Sequence, residues 1–269
     1  MQLKNNYINS DYQKIFNNGY LENNNYNNAL VSPHILFENF FNEDILNSIL
    51  NEFPNLEKEF DNFFNDRNSK AFSKTNFKNL NYTKKFISFL NSKPFIDFLQ
   101  KLTGISEELF ADFDMIGGGL HEYKRGGYLK LHSDFYLHPK LKLDRRINIL
   151  IYLNKNYKPQ EKGEIYLFNK DLKSYVKYSP KFNSLFIFNT TKYSYHGVPD
   201  PIEMDSRKSI ALYFYSKGRP KNEKDIYRRL NTTYWVNQNN NDNVETSGSN
   251  LIKKFLKKNI PSFLLDLVK

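Results

Sequence analysis

Four residues of this sequence have the types and spacing to do chemistry together: His132, Asp134, His196 and Arg207. They lie in a stretch reading HEYKRGGYLKLHSDF, DRRINILIYLN, GEIYLF, SLFIFNTTKYSYHGVP and SRKSIALYFYS. Strand-like alternation over 128–134 puts Leu129 and Leu131 on one side, and Lys130, His132 and Asp134 on the other. Two ligands at i and i+2 of a strand therefore project into the same space. His196 follows a second apolar run and has to come back beside them. Two imidazoles and one carboxylate form the facial triad that suits non-haem Fe(II), with positions left for a co-substrate and oxygen. Arg207 follows the Asp200-Pro201 turn and leads into another strand-like run. A return of that length sets its guanidinium in the same cavity, where the fork can clamp a carboxylate. Ser209 faces the same side and can donate to that carboxylate. The bland alternative is a surface His-x-Asp pair, a chance histidine and a solvated arginine.

The elements around these residues follow from pattern. Across Asp144-Arg145-Arg146 and the run INILIYLN that follows, Arg146, Asn148, Leu150 and Tyr152 share one face and Ile147, Ile149 and Ile151 the other. An arginine at this strand mouth, Arg145 or Arg146, can bind a substrate carbonyl or carboxylate; the plainer expectation is a rim charge paired with Asp144. Residues 163–168 and 185–190 supply further apolar strands. Gly117-Gly118-Gly119 has no following lysine and Ser/Thr pair, so it reads as a bulge or close backbone approach, not a phosphate cradle. His138 lies in a polar loop expected at the mouth of the site and can touch a substrate there. The plainer reading of His138, as of His121 and His34, is a satisfied surface histidine.

Upstream, Asn42 caps a helix with Glu43 and Asp44 in its first turn and an apolar stripe of Ile45, Leu46, Ile49, Leu50 and Phe53. A helical pair covers about 83–103, restarting at Ser92-Lys93-Pro94 and stopping at Gly104. Residues 1–31 are Asn-rich with no clear period. These helices carry no chemistry and are expected to cover one face of the strands.

The central stretch resembles the 2-oxoglutarate and Fe(II)-dependent dioxygenases, specifically the prolyl 4-hydroxylase-like branch, through HSDF, LDRRINILIYLN, YHGVPDP and RKSIALYFYS. The resemblance spans 113–220, about two fifths of the chain. It implies an α+β fold: a double-stranded β-helix, jelly-roll or cupin-like, with flanking N-terminal helices. It implies that His132, Asp134 and His196 hold Fe(II), that Arg207 binds the far carboxylate of 2-oxoglutarate, and that Tyr123 and Tyr152 line the co-substrate pocket. O2 is the second co-substrate, and ascorbate an optional addition. Resembling halogenases have a small residue in place of Asp134, so the carboxylate points to hydroxylation. Resemblance favours a proline-containing peptide or protein as substrate, giving 4-hydroxyproline, succinate and CO2. Free proline, another small molecule or a glycan-linked group stay open, as does a non-catalytic binding module on the same fold. A nucleic-acid demethylase is disfavoured, because Tyr213 stands where resembling demethylases have a second arginine.

The chain has 269 residues, 16% aromatic, no cysteine and a formal charge of +10. It is long enough for a sizeable core and allows no disulfide or thiolate metal site. The lysines are scattered, and the excess of Asn, Lys, Tyr, Phe and Ile accounts for the charge through AT-rich codons as readily as through an anionic partner. No apolar run reaches transmembrane length, and no signal-like start is present, so a cytoplasmic protein is expected. The expected division is 1–110 as a helical flank, 111–220 as the core and 221–269 as an extension. Within that extension, Trp235 and the tyrosines over 227–234 are expected to pack on the core. A polar linker follows, then a helix bearing Leu251, Ile252, Phe255 and Leu256, which docks on its own domain or in a dimer, or binds an anionic membrane surface.

Overall fold

The computed structural model describes residues 7–220, 232–236 and 245–246 of the chain. Its strands are β1 (His34–Glu38), β2 (Asn62–Asn65), β3 (Ser69–Lys74), β4 (Leu109–Ala111), β5 (Gly119–Lys124), β6 (Tyr128–Ser133) and β7 (Asp144–Tyr152). They continue as β8 (Ile165–Phe168), β9 (Tyr175–Tyr178), β10 (Ser184–Asn189), β11 (His196–Val198), β12 (Ser206–Ser216), β13 (Tyr234–Trp235) and β14 (Glu245–Thr246). The helices are α1 (Gln13–Asn17), α2 (Asn23–Asn27), α3 (Glu43–Asn51), α4 (Leu56–Glu59), α5 (Asn81–Leu90) and α6 (Lys93–Thr103).

The strands pair in the order β1-β10-β7-β12-β5-β3-β6-β11-β8-β9. Because β3 pairs with both β5 and β6, it joins two halves that fold over one another. The result is a nearly closed antiparallel double-stranded β-helix, as expected. Strands β1 to β3 belong to this sheet, so the core draws on the chain before residue 110 as well as after it.

Alternation in β7 sorts the two faces. Ile147, Ile149 and Ile151 join Ile210, Leu212 and Phe214 in the main core, together with Phe95, Phe98 and Leu102 of α6. Each such side chain stabilises the fold by about 1.5–3 kcal/mol on burial. The opposite face of β7, with Asn148 and Leu150, lines the interior of the β-helix.

The helix signals act as read. The Asn42 side chain accepts from the Asp44 backbone N–H at the start of α3, and Leu46 and Ile49 are buried. Pro94 sits in the first turn of α6, and Gly104 closes it at φ +72°, where a side chain would be strained. The Asn-rich start, which shows no period in sequence, forms short helical turns over 10–27. Asn23 donates to Leu102 O at 2.9 Å and Asn27 to Thr103 O at 3.3 Å, covering the end of α6. Gly119 answers the triple glycine: at φ +97°, a Cβ there would lie 2.3 Å from Lys74 O on the neighbouring strand.

Among the described residues no helix is long and apolar enough to cross a membrane. Tyr227, the polar linker apart from β14, and the expected helix with Leu251, Ile252, Phe255 and Leu256 lie outside the described residues.

Candidate active site

The β-helix encloses a cavity of about 430 Å³ lined by His132, Asp134, His196, Arg207 and Ser209, among others. His132 and His196 are direct partners across β6 and β11, so pairing brings together two residues far apart in sequence. Their ring centroids are 4.4 Å apart. His132 Nε2 lies 3.4 Å from Asp134 Oδ1, and His196 Nε2 lies 3.3 Å from Asp134 Oδ2. One donor atom from each of the three falls within 4.8 Å of the others, close enough to hold a metal ion. Both Nδ1 atoms face backbone carbonyls, Lys130 O at 2.8 Å and Ser194 O at 2.9 Å. Donation there fixes the tautomer and leaves each Nε2 lone pair for a metal.

Protonation favours the same use. Burial, with the charge of His196 beside it, pushes the His132 imidazole below its ordinary value, so it stays neutral. Burial alone would raise the Asp134 carboxyl, but the Arg145 charge, then His196 and the hydrogen bonds from both histidines, hold it well below the usual range. Two imidazole Nε2 atoms and an ionised carboxylate fit a divalent metal such as Fe(II).

Simple alternation misplaces one neighbour on β6. His196 pairs with His132 while Val198 pairs with Leu129, so β6 carries an extra residue against β11. This bulge sends Lys130 outward to solvent and turns Leu129 into the cavity beside His132. Gly197 is the facing residue, and a Cβ there would lie 2.7 Å from Leu129 O.

A second bulge decides between the two arginines. On β12, Phe214 pairs with Ile147 and Tyr215 with Arg145, which leaves Arg146 over. Arg145 consequently shares the inner face with Asn148, and Arg146 turns away to Glu107 and Ser216, both at 2.9 Å. The expected rim pair with Asp144 is therefore replaced by Glu107, and Arg146 does not line the main cavity. Arg145 is 1% exposed and donates to Asp134 Oδ2 at 2.8 Å. Its Nε donates to Asn148 Oδ1 at 2.7 Å, and Asn148 Nδ2 in turn donates to Asp134 Oδ2 at 2.7 Å. The Tyr213 ring lies 3.3 Å beneath the Arg145 guanidinium.

Arg207 is equally buried, at 2% exposure, yet its surroundings differ. Nε donates to Gly163 O at 2.7 Å, NH2 reaches Tyr152 OH at 3.4 Å, and the guanidinium rests over the rings of Tyr123 and Tyr152. Among the described residues no carboxylate pairs with it. Ser209 lies two residues along on the same strand, opposite both Tyr152 and His121.

The other histidines fall differently from expectation. His138 is fully buried: its Nδ1 accepts from the Lys140 and Leu141 backbone N–H groups, and its Nε2 faces Asp112 at 3.3 Å. Through Nδ1 it ties down the loop before β7, while Nε2 points to Asp112 beyond β4, and it is not among the residues lining the cavity. His34 is a core residue on β1, held by Ser32 O and Tyr178 OH, and not a surface histidine. His121 does line the cavity, and enclosure there pushes it down to about 4. Asn148 went unassigned in the sequence although it shares a face with Tyr152; that shared face was its signal. Trp235, expected only to pack on the barrel, pairs with His132 across β13 and β6 and lines the same cavity.

Residues 118–215 match the family model of the 2OG-Fe(II) oxygenase superfamily. No curated protein matches the sequence. A prolyl hydroxylase from Trichoplax adhaerens, solved with a hypoxia inducible factor oxygen degradation domain peptide fragment, is 19% identical with a TM-score of 0.56. That match covers 82% of this chain and 97% of that one. A Pseudomonas putida prolyl-4-hydroxylase is 13% identical, with a TM-score of 0.52, covering 69% of this chain and 92% of that one. A prolyl 4-hydroxylase from Phytophthora capsici is 17% identical, with a TM-score of 0.51, over 94% of this chain and 76% of that one. At these identities the likeness is one of fold.

Proposed function

A 2OG-Fe(II) oxygenase domain occupies residues 118–215 of this chain, on a fold like that of prolyl 4-hydroxylases, and we propose that the protein hydroxylates a prolyl residue within a peptide or protein. One observation carries the reading: a buried Arg207 without a carboxylate partner among the described residues, in the same cavity as His132, Asp134 and His196. A desolvated guanidinium of that kind is costly until an anion reaches it, and the far carboxylate of 2-oxoglutarate is such an anion.

In this reading His132, Asp134 and His196 hold Fe(II), which with 2-oxoglutarate and O2 supplies the oxidising power when bound. The chain supplies placement. Arg207 binds the far end of 2-oxoglutarate through its fork, with Ser209 as a second donor. Tyr123 and Tyr152 flank that guanidinium and keep water from it. Arg145 and Asn148 both bond Asp134 Oδ2, which leaves Oδ1 as the oxygen offered to the metal. Arg145 thereby serves the metal carboxylate instead of a substrate carbonyl. The outer cavity, with Phe72, Ile116 and Phe135, offers apolar walls suited to a pyrrolidine ring. We assign residues 1–110 as flank, 111–220 as catalytic core and 221–269 as extension, with β1 to β3 of the flank completing the sheet.

The test is succinate release with Fe(II), 2-oxoglutarate and O2 over a panel of proline-containing peptides, set beside free L-proline. The expected result is a gain of one oxygen on a peptidyl proline. Hydroxylation of free L-proline alone would replace the peptide with a small-molecule substrate, and absence of succinate in every condition would remove the reaction class.

A further inference from the structure

Strand β13 adds to the outer edge of β6, the strand that carries His132. Val236 N–H donates to Leu131 O at 2.9 Å, and Trp235 stands opposite His132 in register. The indole centroid lies 5.0 Å from the His132 ring, tilted by 39°. Thr232, Thr233 and Trp235 all line the cavity that holds His132, Asp134 and His196. A short piece of chain from beyond the domain core thus forms a wall of the site.

The wall has an unmet polar need. Trp235 Nε1 is shielded from solvent and has no hydrogen-bond partner among the described residues. Among the described residues, it is the one buried unpartnered side-chain polar atom belonging to a residue that lines this cavity. Three other donors here are engaged: Arg145 with Asp134, Asn148 with Asp134, and Tyr213 OH with Gly117 O. An indole N–H only donates, so what it lacks is an acceptor. A buried donor left unpaired is costly enough that such a group usually has a partner in the working state.

We propose that Trp235 is a substrate-recognition residue: its ring packs against the reacting residue and its Nε1–H donates to a main-chain carbonyl oxygen of a bound peptide. The inference rests on the prolyl reading above and deepens it. A prolyl residue has no N–H of its own, so the peptide carbonyls on either side are the polar groups nearest its ring. An aromatic face with a donor at its edge matches that pairing of apolar ring and adjacent acceptor.

The test uses the fact that Trp235 is the single tryptophan of the chain, so its emission reports this position alone. Anaerobic titration of the full-length protein with Co(II) and 2-oxoglutarate should quench that emission saturably. With a capped peptide that the wild type hydroxylates, Trp235→Phe should raise the KM for peptide about tenfold and Trp235→Ala about a hundredfold. The loss should fall on the KM for peptide and not on the KM for 2-oxoglutarate. An unchanged peptide KM in both variants would overturn the assignment, as would emission indifferent to Co(II), whichever peptides are turned over. A saturable quench with no peptide hydroxylated would instead remove the prolyl reading and keep Trp235 as a wall for another carbonyl-bearing substrate.

Discussion

Two buried arginines face one cavity, and they are held in opposite ways. Arg145 meets the Asp134 carboxylate, Asn148 and the Tyr213 ring, so its charge is matched inside the protein. Arg207 meets a backbone carbonyl, a phenol and two aromatic faces, so its charge is not matched. In the proposed reading the first arrangement fixes a metal ligand, and the second waits for an anion. Burial alone would not tell them apart; the counter-charge does.

The largest expected effect lies at the metal end. Asp134→Ala, or His132→Ala, should abolish succinate formation while the fold persists, as followed by circular dichroism. Turnover near wild type in either variant would take that residue out of the metal site. Next comes the unmatched arginine. Arg207→Ala should weaken 2-oxoglutarate binding by roughly 2–5 kcal/mol, one or more orders of magnitude in the concentration required. Arg207→Lys should recover only part of it, because a point charge replaces a fork. An unchanged 2-oxoglutarate requirement would give the clamp to another residue.

Stability of the metal-free protein sharpens the contrast in the other direction. Arg145→Met strands the buried Asp134 carboxylate and should cost about 3–5 kcal/mol by denaturant unfolding. Arg207→Met strands no charge and removes a costly unmatched one, which offsets the loss of its ring contacts and two hydrogen bonds, so it should cost at most about 1–2 kcal/mol. Equal losses would erase the distinction between the two arginines.

The last expected effect is a pH dependence. In the folded protein His121 is pushed down to about 4 from its ordinary 6.5 by enclosure in the cavity. Between those values the unfolded chain takes up a proton that the folded one refuses. This stabilisation is complete above pH 6.5 and is lost as pH falls toward 4. His121→Gln should flatten the fall in denaturation midpoint over that window. His34 and His132, shifted downward as well, should supply the remainder. A slope unaltered by the substitution would show that His121 remains free to protonate in the fold.

Local pattern was enough for much of this architecture, because helix caps and strand faces depend on neighbours in sequence. Asn42 bounds its helix through its side-chain oxygen, and Gly104 through its lack of a side chain at positive φ. The alternation of Ile147, Ile149 and Ile151 against Asn148 and Leu150 told the outer face of β7 from the inner one. The residue types and order of His132, Asp134, His196 and Arg207 were likewise legible, since each is polar within an apolar run.

Tertiary structure decided the rest, and the bulges show why. Period-2 reasoning holds until one strand carries a residue more than its partner, and that count belongs to the pair of strands, not to either alone. Against β11, the extra residue in β6 expelled Lys130 and admitted Leu129. Against β12, the extra residue in β7 chose Arg145 over Arg146 as the neighbour of Asp134. His138 and His121 exchanged their expected surroundings for the same kind of reason: one satisfies its own loop, while the other sits on a strand whose partners, Ser209 and Ser73, come from distant parts of the chain. By itself the sequence determined which groups were available and roughly which way each strand faced. Which of them met at the cavity depended on long-range pairing, because a bulge and a counter-charge exist only once two distant segments are side by side.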